Sequence, residues 1–302
     1  MLADIVRHLR CPVCASALVP TATGLDCGRG HRFDRARQGY VHLAAGPLRH
    51  PGDTADMIAA RADFLAAGHY AFIAEALAST AADLVTATTA ERGGGDPDNG
   101  DPDNGDPLGG GYPDLVVDVG AGTGYHLATV LDALPEAVGL ALDASKAAAR
   151  RAARVHPRAG AAVCDTWRRL PLADRSARLV LDVFAPRNGE EFRRVLRDDG
   201  ALLVVTPTAE HLVELVDALH LVRVDPAKPE RVAASLGGHL VPVGDRVLTE
   251  RLRLSGTEVA TLVGMGPSAW HLDPDVLASR VARLTEPVEV TASVRLSVWR
   301  KR

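Results

Sequence analysis

The chain has 302 residues, of which 47% are hydrophobic and 24% are charged, and its formal net charge is −4. A chain of this length and composition can bury a large core, so we expect one substantial domain and a smaller one. The sequence contains no apolar run near the ~20 residues that a membrane helix needs, and its first ten residues lack the apolar core of a signal peptide. We therefore expect a cytoplasmic protein without a membrane partner.

Three of the four cysteines lie close together near the start of the chain. Cys11 and Cys14 form a C-x2-C pair, and Cys27 and His31 follow as C-x3-H after twelve intervening residues. Three thiolates and one imidazole complete a tetrahedral shell with no position left for water, which is typical of structural zinc. The alternative is a set of buried thiols beside a surface histidine. The spacing favours structural Zn²⁺, and the fourth cysteine, Cys164, lies alone in an apolar run that indicates a core position.

The segment that holds these ligands is basic, although the whole chain is acidic. Residues 1–50 contain seven arginines and three aspartates, so they carry a net charge of +4 and leave −8 for the remainder. Such a segment is a candidate for binding nucleic acid, and a solvated basic face is the alternative. The candidate RNA-binding side chains surround the last zinc ligand: Arg29, Arg32, Arg35 and Arg37.

A second unusual segment, residues 93–111, repeats the sequence DPDNG between runs of glycine. It is composed almost wholly of turn-forming residues and cannot bury apolar surface, so we interpret it as a flexible linker. A calcium-binding repeat is the alternative, but the two short copies have no bidentate glutamate at the right offset. The predicted domains are a zinc-binding module at 1–50 that is a candidate for nucleic-acid recognition, a helical connector at 51–92, the linker at 93–111 and a larger domain at 112–302.

Beyond the linker, buried strands alternate with helices. The five predicted strands are "DLVVDVG", "AVGLALD", "AGAAVCD", "ARLVLDVFAP" and "GALLVVTP". Helical patterns follow the first two strands and the last two, which is the signature of a doubly wound, mostly parallel α/β sheet. In such a sheet, ligands bind at the carboxyl ends of the strands.

A glycine-rich loop, "DVGAGTG" from Asp118 to Gly124, follows the first strand. Gly120 and Gly122 allow the backbone to approach a ligand closely. A dinucleotide fingerprint would need glycine at position 125, where Tyr125 stands, so the loop fits the variant of S-adenosylmethionine methyltransferases better. Asp143 ends the second strand, 21 residues beyond Gly122, where its carboxylate can accept hydrogen bonds from a ribose. These two features alone favour S-adenosylmethionine and leave a nicotinamide cofactor open.

Further segments carry a resemblance to a known family. They are "CPVC", "GHRFDRARQGYVHL", "GDTADMIAARADFLAAGHY", "DVGAGTGY", "LDAS", "RLPLAD", "FAP", "TPTAEHLVEL" and "MGPSAW". Over nearly the whole chain apart from the linker, the sequence resembles the 23S ribosomal RNA guanine-N1 methyltransferases, which include tylosin-resistance enzymes. The resemblance implies a class I methyltransferase with a seven-stranded sheet, and a front module that holds zinc through three cysteines and a histidine.

The resemblance also implies site residues that spacing does not reveal. Tyr70 in "AGHY", Thr123 beside Gly122, and His211 match cofactor contacts of the family, and Asp165 is expected at the adenine. Tyr70 and His211 could otherwise be a core aromatic and a helix-capping residue. The expected cofactor site comprises Tyr70, Asp118, Gly120, Gly122, Thr123, Asp143, Asp165 and His211.

The implied reaction is methyl transfer from S-adenosylmethionine to N1 of a guanine in a 23S rRNA hairpin near the peptide exit tunnel. The base must be unpaired or flipped, and Trp167, Phe184 and Trp270 are candidates to stack on it, with ordinary packing as the alternative. No residue identifies itself as the general base. A small-molecule methyltransferase and a non-catalytic RNA-binding relative stay open, as do a homodimer and a role in macrolide resistance.

Overall fold

The computed structural model describes residues 3–48, 52–93, 113–221, 223, 225, 227–270 and 272–302. The predicted linker at 93–111 lies outside the described residues except for Gly93, the last residue of a helix. In the described part of the chain, no helix is long and apolar enough to cross a membrane.

The N-terminal segment contains little regular structure. Its elements are the helix α1 (Ala3–Val6) and the strands β1 (Leu18–Pro20), β2 (Gly24–Cys27), β3 (Arg32–Asp34) and β4 (Val41–His42). The first three strands form an antiparallel sheet of their own. The fourth strand leaves it and pairs with the central sheet.

Five parallel strands form the centre of the molecule, as the sequence predicts. They are β5 (Leu115–Val119), β6 (Val138–Asp143), β7 (Ala159–Val163), β8 (Ala177–Val183) and β9 (Leu196–Pro207). Their order is β7-β6-β5-β8-β9, so the direction of winding reverses between β5 and β8. A reversal of this kind opens a crevice at the carboxyl ends of the strands, which is where the predicted site residues lie.

A pair of long antiparallel strands, which the sequence patterns did not locate, completes the sheet. It consists of β10 (Leu240–Leu254) and β11 (Val288–Lys301), and β11 pairs antiparallel with β9. The sheet therefore has the seven mostly parallel strands that the fold class requires. The two-residue β4 from the N-terminal segment adds an eighth at the edge beside β7.

Helices cover both faces of the sheet, and most begin at a residue whose side chain accepts a backbone hydrogen bond. Thr54, Ser145, Asn188, Ser255 and Asp273 serve as such N-caps. The helices are α2 (Ala55–Ala66), α3 (Ala71–Gly93), α4 (Tyr125–Ala133), α5 (Lys146–Ala152), α6 (Gly189–Val195), α7 (Val213–Leu219), α8 (Lys228–Gly237), α9 (Gly256–Gly264) and α10 (Pro274–Val281), with a 3-10 turn at Pro267–Trp270.

The N-terminal segment shares its core with the central sheet. Successive residues of β5 face opposite sides, so Val116 packs in one buried cluster and Val117 in the other. The cluster of Val117 also contains Ile5 and Leu25 of the N-terminal segment. Backbone hydrogen bonds at residues 8–10 and 171–173 join the two parts directly. The predicted zinc-ligand segment is therefore packed against one face of the central sheet.

Candidate cofactor site and zinc centre

The glycine loop makes a tight turn from β5 into α4. Gly120, Gly122 and Gly124 have φ angles of +74°, +55° and +80°, a region that other residues rarely adopt. A Cβ at Gly120 would lie 2.5 Å from Cβ of Ala185, and one at Gly122 would lie 3.1 Å from Nη1 of Arg61. The loop thus requires glycine because of its backbone conformation and because neighbouring side chains leave no room for a Cβ. Gly120 and Gly122 line the crevice.

Asp143, at the end of β6, holds this loop in place. Its Oδ2 accepts a hydrogen bond from the Gly122 N–H at 2.8 Å, and its Oδ1 accepts one from the Ser145 N–H at 2.7 Å. Burial raises the pKa of Asp143, whereas these two backbone donors lower it. An ionised carboxylate can accept about four hydrogen bonds, so the side chain keeps capacity for a ligand.

A second carboxyl group lies beneath the loop. Asp118 is 2% exposed, and burial together with the charge of Asp143 raises its pKa to about 7. Two acids in one enclosed site favour a proton on the more buried member, because two adjacent negative charges repel each other. Asp118 therefore titrates near neutral pH.

The predicted cofactor residues converge on one cavity. This cavity has a volume of about 780 Å³ and opens at the carboxyl ends of β5, β6 and β8. The residues of the expected set that line it are Tyr70, Asp118, Gly120, Gly122, Thr123, Asp143, Asp165 and His211, which is all of them. The predicted residues come from several separate segments of the sequence, so their convergence is a property of the fold.

Tyr70 and His211 meet across the cavity although 141 residues separate them. The Ser293 N–H donates to Nδ1 of His211 at 3.2 Å, which leaves the proton on Nε2 when the ring is neutral. Nε2 can then donate to the Tyr70 hydroxyl, 3.4 Å away. Burial raises the pKa of Tyr70 well above its usual range, so its hydroxyl stays protonated.

Sequence reasoning missed two charged residues in the cavity wall, Arg61 and Asp53. Arg61 lies on α2, where Nη1 pairs with Oδ2 of Asp53 at 2.6 Å and Nη2 donates to the Met265 carbonyl at 2.9 Å. From sequence alone, an arginine in an amphipathic helix is predicted to lie on the solvent-exposed face. The only available signal was its place in "GDTADMIAARADFLAAGHY", a segment quoted for the family resemblance.

Two buried polar atoms in the wall have no hydrogen-bond partner among the described residues. They are Nδ1 of His126 and Oδ2 of Asp165, although Nε of Arg168 forms an ion pair with the latter at 3.6 Å. Burial, followed by the charge of Arg61, lowers the pKa of His126 to about 4, so this ring is neutral at pH 7. Buried polar atoms usually find partners, and unpaired ones inside a cavity indicate that a ligand supplies them.

The three candidate stacking residues also line the cavity and are accessible. Trp167, Phe184 and Trp270 are 52%, 42% and 48% exposed. Phe184 has a φ of +53°, an unusual conformation for a bulky residue, and its ring lies 5.9 Å from the ring of His211. Backbone strain of this kind is concentrated at functional sites.

The four predicted zinc ligands come together in the N-terminal segment. Their ligand atoms all lie within 4.8 Å of one another. Zn–S and Zn–N bonds of about 2.3 and 2.0 Å in a tetrahedron place two sulfurs about 3.8 Å apart and a sulfur and a nitrogen about 3.5 Å apart. The observed separations are 3.8 Å for the Sγ atoms of Cys14 and Cys27, and 3.3 and 3.6 Å from Nδ1 of His31 to Sγ of Cys27 and Cys11. The cluster fits a closed structural zinc site, and Cys164 is buried elsewhere.

The predicted RNA-binding arginines are all exposed. Arg32 lies 3.4 Å from Oδ2 of Asp26. In the described part of the chain, no carboxylate forms an ion pair with Arg29, Arg35 or Arg37. Their positive charges therefore face solvent around the zinc ligands.

Known proteins match this chain over most of its length. A Streptomyces fradiae protein named 23S rRNA (guanine(748)-N(1))-methyltransferase is 49% identical, and the alignment covers 99% of each chain. A Micromonospora griseorubida relative named as a 23S rRNA (guanine-N(1)-)-methyltransferase is 62% identical over 98% of each chain. This chain belongs to the 23S rRNA (guanine-N1) methyltransferase family.

Two more matches agree with this assignment. A Bacillus subtilis relative whose name gives the same activity is 29% identical over 97% of this chain and 96% of its own length. Residues 9–45 match a zinc-ribbon family model described as "RlmA, N-terminal". The matched range contains all four clustered ligand residues, so the predicted zinc module and the predicted fold class are both confirmed.

Proposed function

We propose that this chain transfers the methyl group of S-adenosylmethionine to N1 of a guanine in 23S rRNA. One observation carries the proposal: in a chain of this family, the eight expected cofactor residues line a single cavity at the switch point of the sheet. Its volume of about 780 Å³ is in the range of small-molecule cofactor sites.

The cavity wall offers a group for each polar part of the methyl donor. The bare backbone at Gly120 and Gly122 admits it, and the Asp143 carboxylate accepts from the ribose hydroxyls. Oδ2 of Asp165, buried and without a hydrogen-bond partner in the described residues, accepts from the adenine amino group. Tyr70 and His211 contact each other and line the same cavity. The bound donor supplies an electrophilic methyl group on a sulfonium.

Arg61 is the group that we assign to the carboxylate of the donor. Its Nη1 faces the cavity beside Gly122 and already holds a carboxylate, that of Asp53, at 2.6 Å. Arginine binds carboxylates through paired, charge-assisted hydrogen bonds, so a ligand carboxylate can share or displace this contact. The hydrogen bond from Nη2 of Arg61 to the Met265 carbonyl holds the guanidinium in position while Nη1 binds the ligand carboxylate.

The exposed aromatic residues lie where the target base would enter. We place the guanine against Phe184, with Trp167 and Trp270 as further stacking surfaces at the mouth of the cavity. Base stacking on an aromatic ring is worth about 1–3 kcal/mol and requires a base that is out of its duplex. This geometry favours an unpaired guanine in a hairpin loop as the substrate.

The finer features of the activity are parts of the same proposal. We propose that the target hairpin lies near the peptide exit tunnel, and that methylation there contributes to macrolide resistance. Ribosomal RNA is a cytoplasmic substrate, so a cytoplasmic location stays our expectation. A homodimer and the domain boundaries at residues 50, 92 and 111 also stay predictions, and the general base is not assigned.

The proposal is tested by incubating the purified protein with a 23S rRNA transcript that spans guanine 748. The methyl donor is S-adenosylmethionine with a labelled methyl group. Nuclease digestion and mass spectrometry should show labelled 1-methylguanosine. A Gly120→Val variant, which adds a branched side chain where a Cβ meets Ala185 at 2.5 Å, should give none. Label in RNA at another nucleoside, or none in RNA and transfer to a small acceptor instead, would overturn the assignment.

A further inference from the structure

The helix α5 presents an unusual concentration of positive charge. Residues 144–164 contain one lysine and four arginines and no aspartate or glutamate. Ala148, Ala149 and Ala152 form the buried side of the helix. Its exposed side and the turn that follows carry the cations: Lys146, Arg150, Arg151 and Arg154.

These charges are not neutralised by the rest of the described structure. Elsewhere on the enzyme surface, most arginines are paired: Arg175 with Asp198, Arg251 with Glu214, and Arg295 with Asp245. Among the residues that the structure describes, no carboxylate lies within 4 Å of the cationic groups on α5. Arg29, Arg35 and Arg37 in the N-terminal segment likewise have no carboxylate within 4 Å among the described residues. A group of unpaired cations repels itself and gains most from a polyanionic partner.

The α5 face is adjacent to part of the N-terminal segment. A Cβ at Gly39, which follows the basic stretch 29–37, would lie 3.7 Å from Cβ of Ala153 at the end of α5. Tyr40 belongs to the same buried cluster as Ala149 and Ala152. At the other end of the helix, the charge of Lys146 adds to burial in lowering the pKa of His42 on β4. The turn that follows Arg35 and Arg37 therefore lies beside α5, whereas the zinc ligands Cys11 and Cys27 belong to the buried cluster on the other face of the sheet.

The same helix begins at the cofactor cavity. Asp143 and Ala144 line the cavity, Ser145 caps α5, and Lys146 is the first helical residue. The exposed cations of α5 thus lie between the turn at residues 36–40 and the cavity wall. The helix has 7 residues and is therefore about 10 Å long, so its exposed side can contact more than one phosphate of a nucleic acid strand while the target base enters the cavity.

We propose that the exposed face of α5, through Arg150, Arg151 and Arg154, is a second RNA-backbone site beside the cofactor cavity. The inference rests on the proposed function, because it takes 23S rRNA as the partner. The alternative occupant, an acidic protein surface, would leave RNA binding unchanged when these charges are removed.

The test compares two double variants with the wild type. The first double variant, Arg150→Ala/Arg154→Ala, removes two charges from the α5 face. The control, Arg253→Ala/Arg300→Ala, removes two charges from the strands β10 and β11 at the opposite edge of the sheet. Fluorescence anisotropy with the 23S transcript spanning guanine 748, at several salt concentrations, gives the slope of log K against log salt. Each lost phosphate contact should reduce this slope by about 0.7–0.9, so the α5 variant should lose roughly 1.5 units and the control none.

Affinity for S-adenosylmethionine, measured by calorimetry, should not change in either variant. Alanine is a good helix former, so we expect α5 to persist, and Arg150→Lys/Arg154→Lys should retain the wild-type slope if charge is what matters. Equal slopes for the α5 variant and the wild type would overturn this inference alone. Failure of the wild type to bind or methylate the transcript would overturn the proposed function and the inference with it.

Discussion

Replacing Asp143 with alanine tests the cofactor site at the residue on which its geometry depends most. The carboxylate accepts backbone hydrogen bonds from Gly122 at 2.8 Å and from Ser145 at 2.7 Å. A hydrogen bond to a charged group contributes about 1.5–3 kcal/mol, and water in the open cavity can replace part of that. We expect Asp143→Ala to lower the free energy of unfolding by about 2–3 kcal/mol.

The same substitution removes the acceptor that we assign to the ribose. Loss of one or two charge-assisted hydrogen bonds should weaken binding of S-adenosylmethionine by at least tenfold, and by roughly a hundredfold or more if both are lost. Calorimetry measures the affinity and denaturant titration the stability. Asp143→Asn should fold better because it keeps one acceptor oxygen, and Asp63→Ala, at an exposed acid outside the cavity, is the control. Wild-type affinity in a folded Asp143 variant would refute the assignment.

Three further predictions concern the metal, a buried acid and the base-binding side. Elemental analysis should find one zinc per chain. A chelator strong enough to remove the zinc should lower thermal stability, because the zinc segment shares a core with the sheet. Metal-free protein of unchanged thermal stability would contradict this. In the folded protein Asp118 keeps its proton up to about pH 7, whereas in the unfolded chain it loses it near pH 4. The free energy of unfolding should therefore fall as the pH rises between these values, by at most about 1.4 kcal/mol per pH unit. Asp118→Asn should flatten that slope in denaturant titrations from pH 4.5 to 7.5, and an unchanged slope would show that the burial of Asp118 does not govern it. Phe184→Ala should lower kcat/KM for RNA by about five- to a hundredfold, as expected for the loss of one stacking contact, without weakening S-adenosylmethionine binding; equal activity would remove Phe184 from the base site.

The central fold was predictable because its strands are buried on both faces. The mostly apolar, Val- and Leu-rich runs of β5, β6 and β8 lie between helical patterns, which is typical of parallel strands buried on both faces. The antiparallel strands β10 and β11 were not located, because β10 is not buried in this way. Most of β10 is exposed at the edge of the sheet, and its mixture of polar and apolar residues has no clear period. The two-residue β4 is defined only by its pairing with β7, which no local pattern contains.

The site was predictable to the extent that it is local in sequence. The glycine loop and Asp143 follow from the spacing of one strand-helix-strand unit. Tyr70 and His211 came only from the family resemblance, since they meet through tertiary packing across 141 residues. Arg61 was missed because the Met265 carbonyl, which holds its guanidinium in place, reaches it only after α2 packs beside α9. The cations of α5 were passed over because only the structure shows that they lack ion-pair partners and adjoin the N-terminal segment.

Primer extension on 23S rRNA tests the central claim most directly. A methyl group on N1 of guanine blocks base pairing, so reverse transcriptase should stop one nucleotide before the modified base. The template would be 23S rRNA from cells that express the protein, compared with cells that express the Gly120→Val variant. We expect one new stop at a guanine in a hairpin loop, present with the wild type and absent with the variant. Identical extension patterns from both cultures, with both proteins expressed and folded, would contradict it.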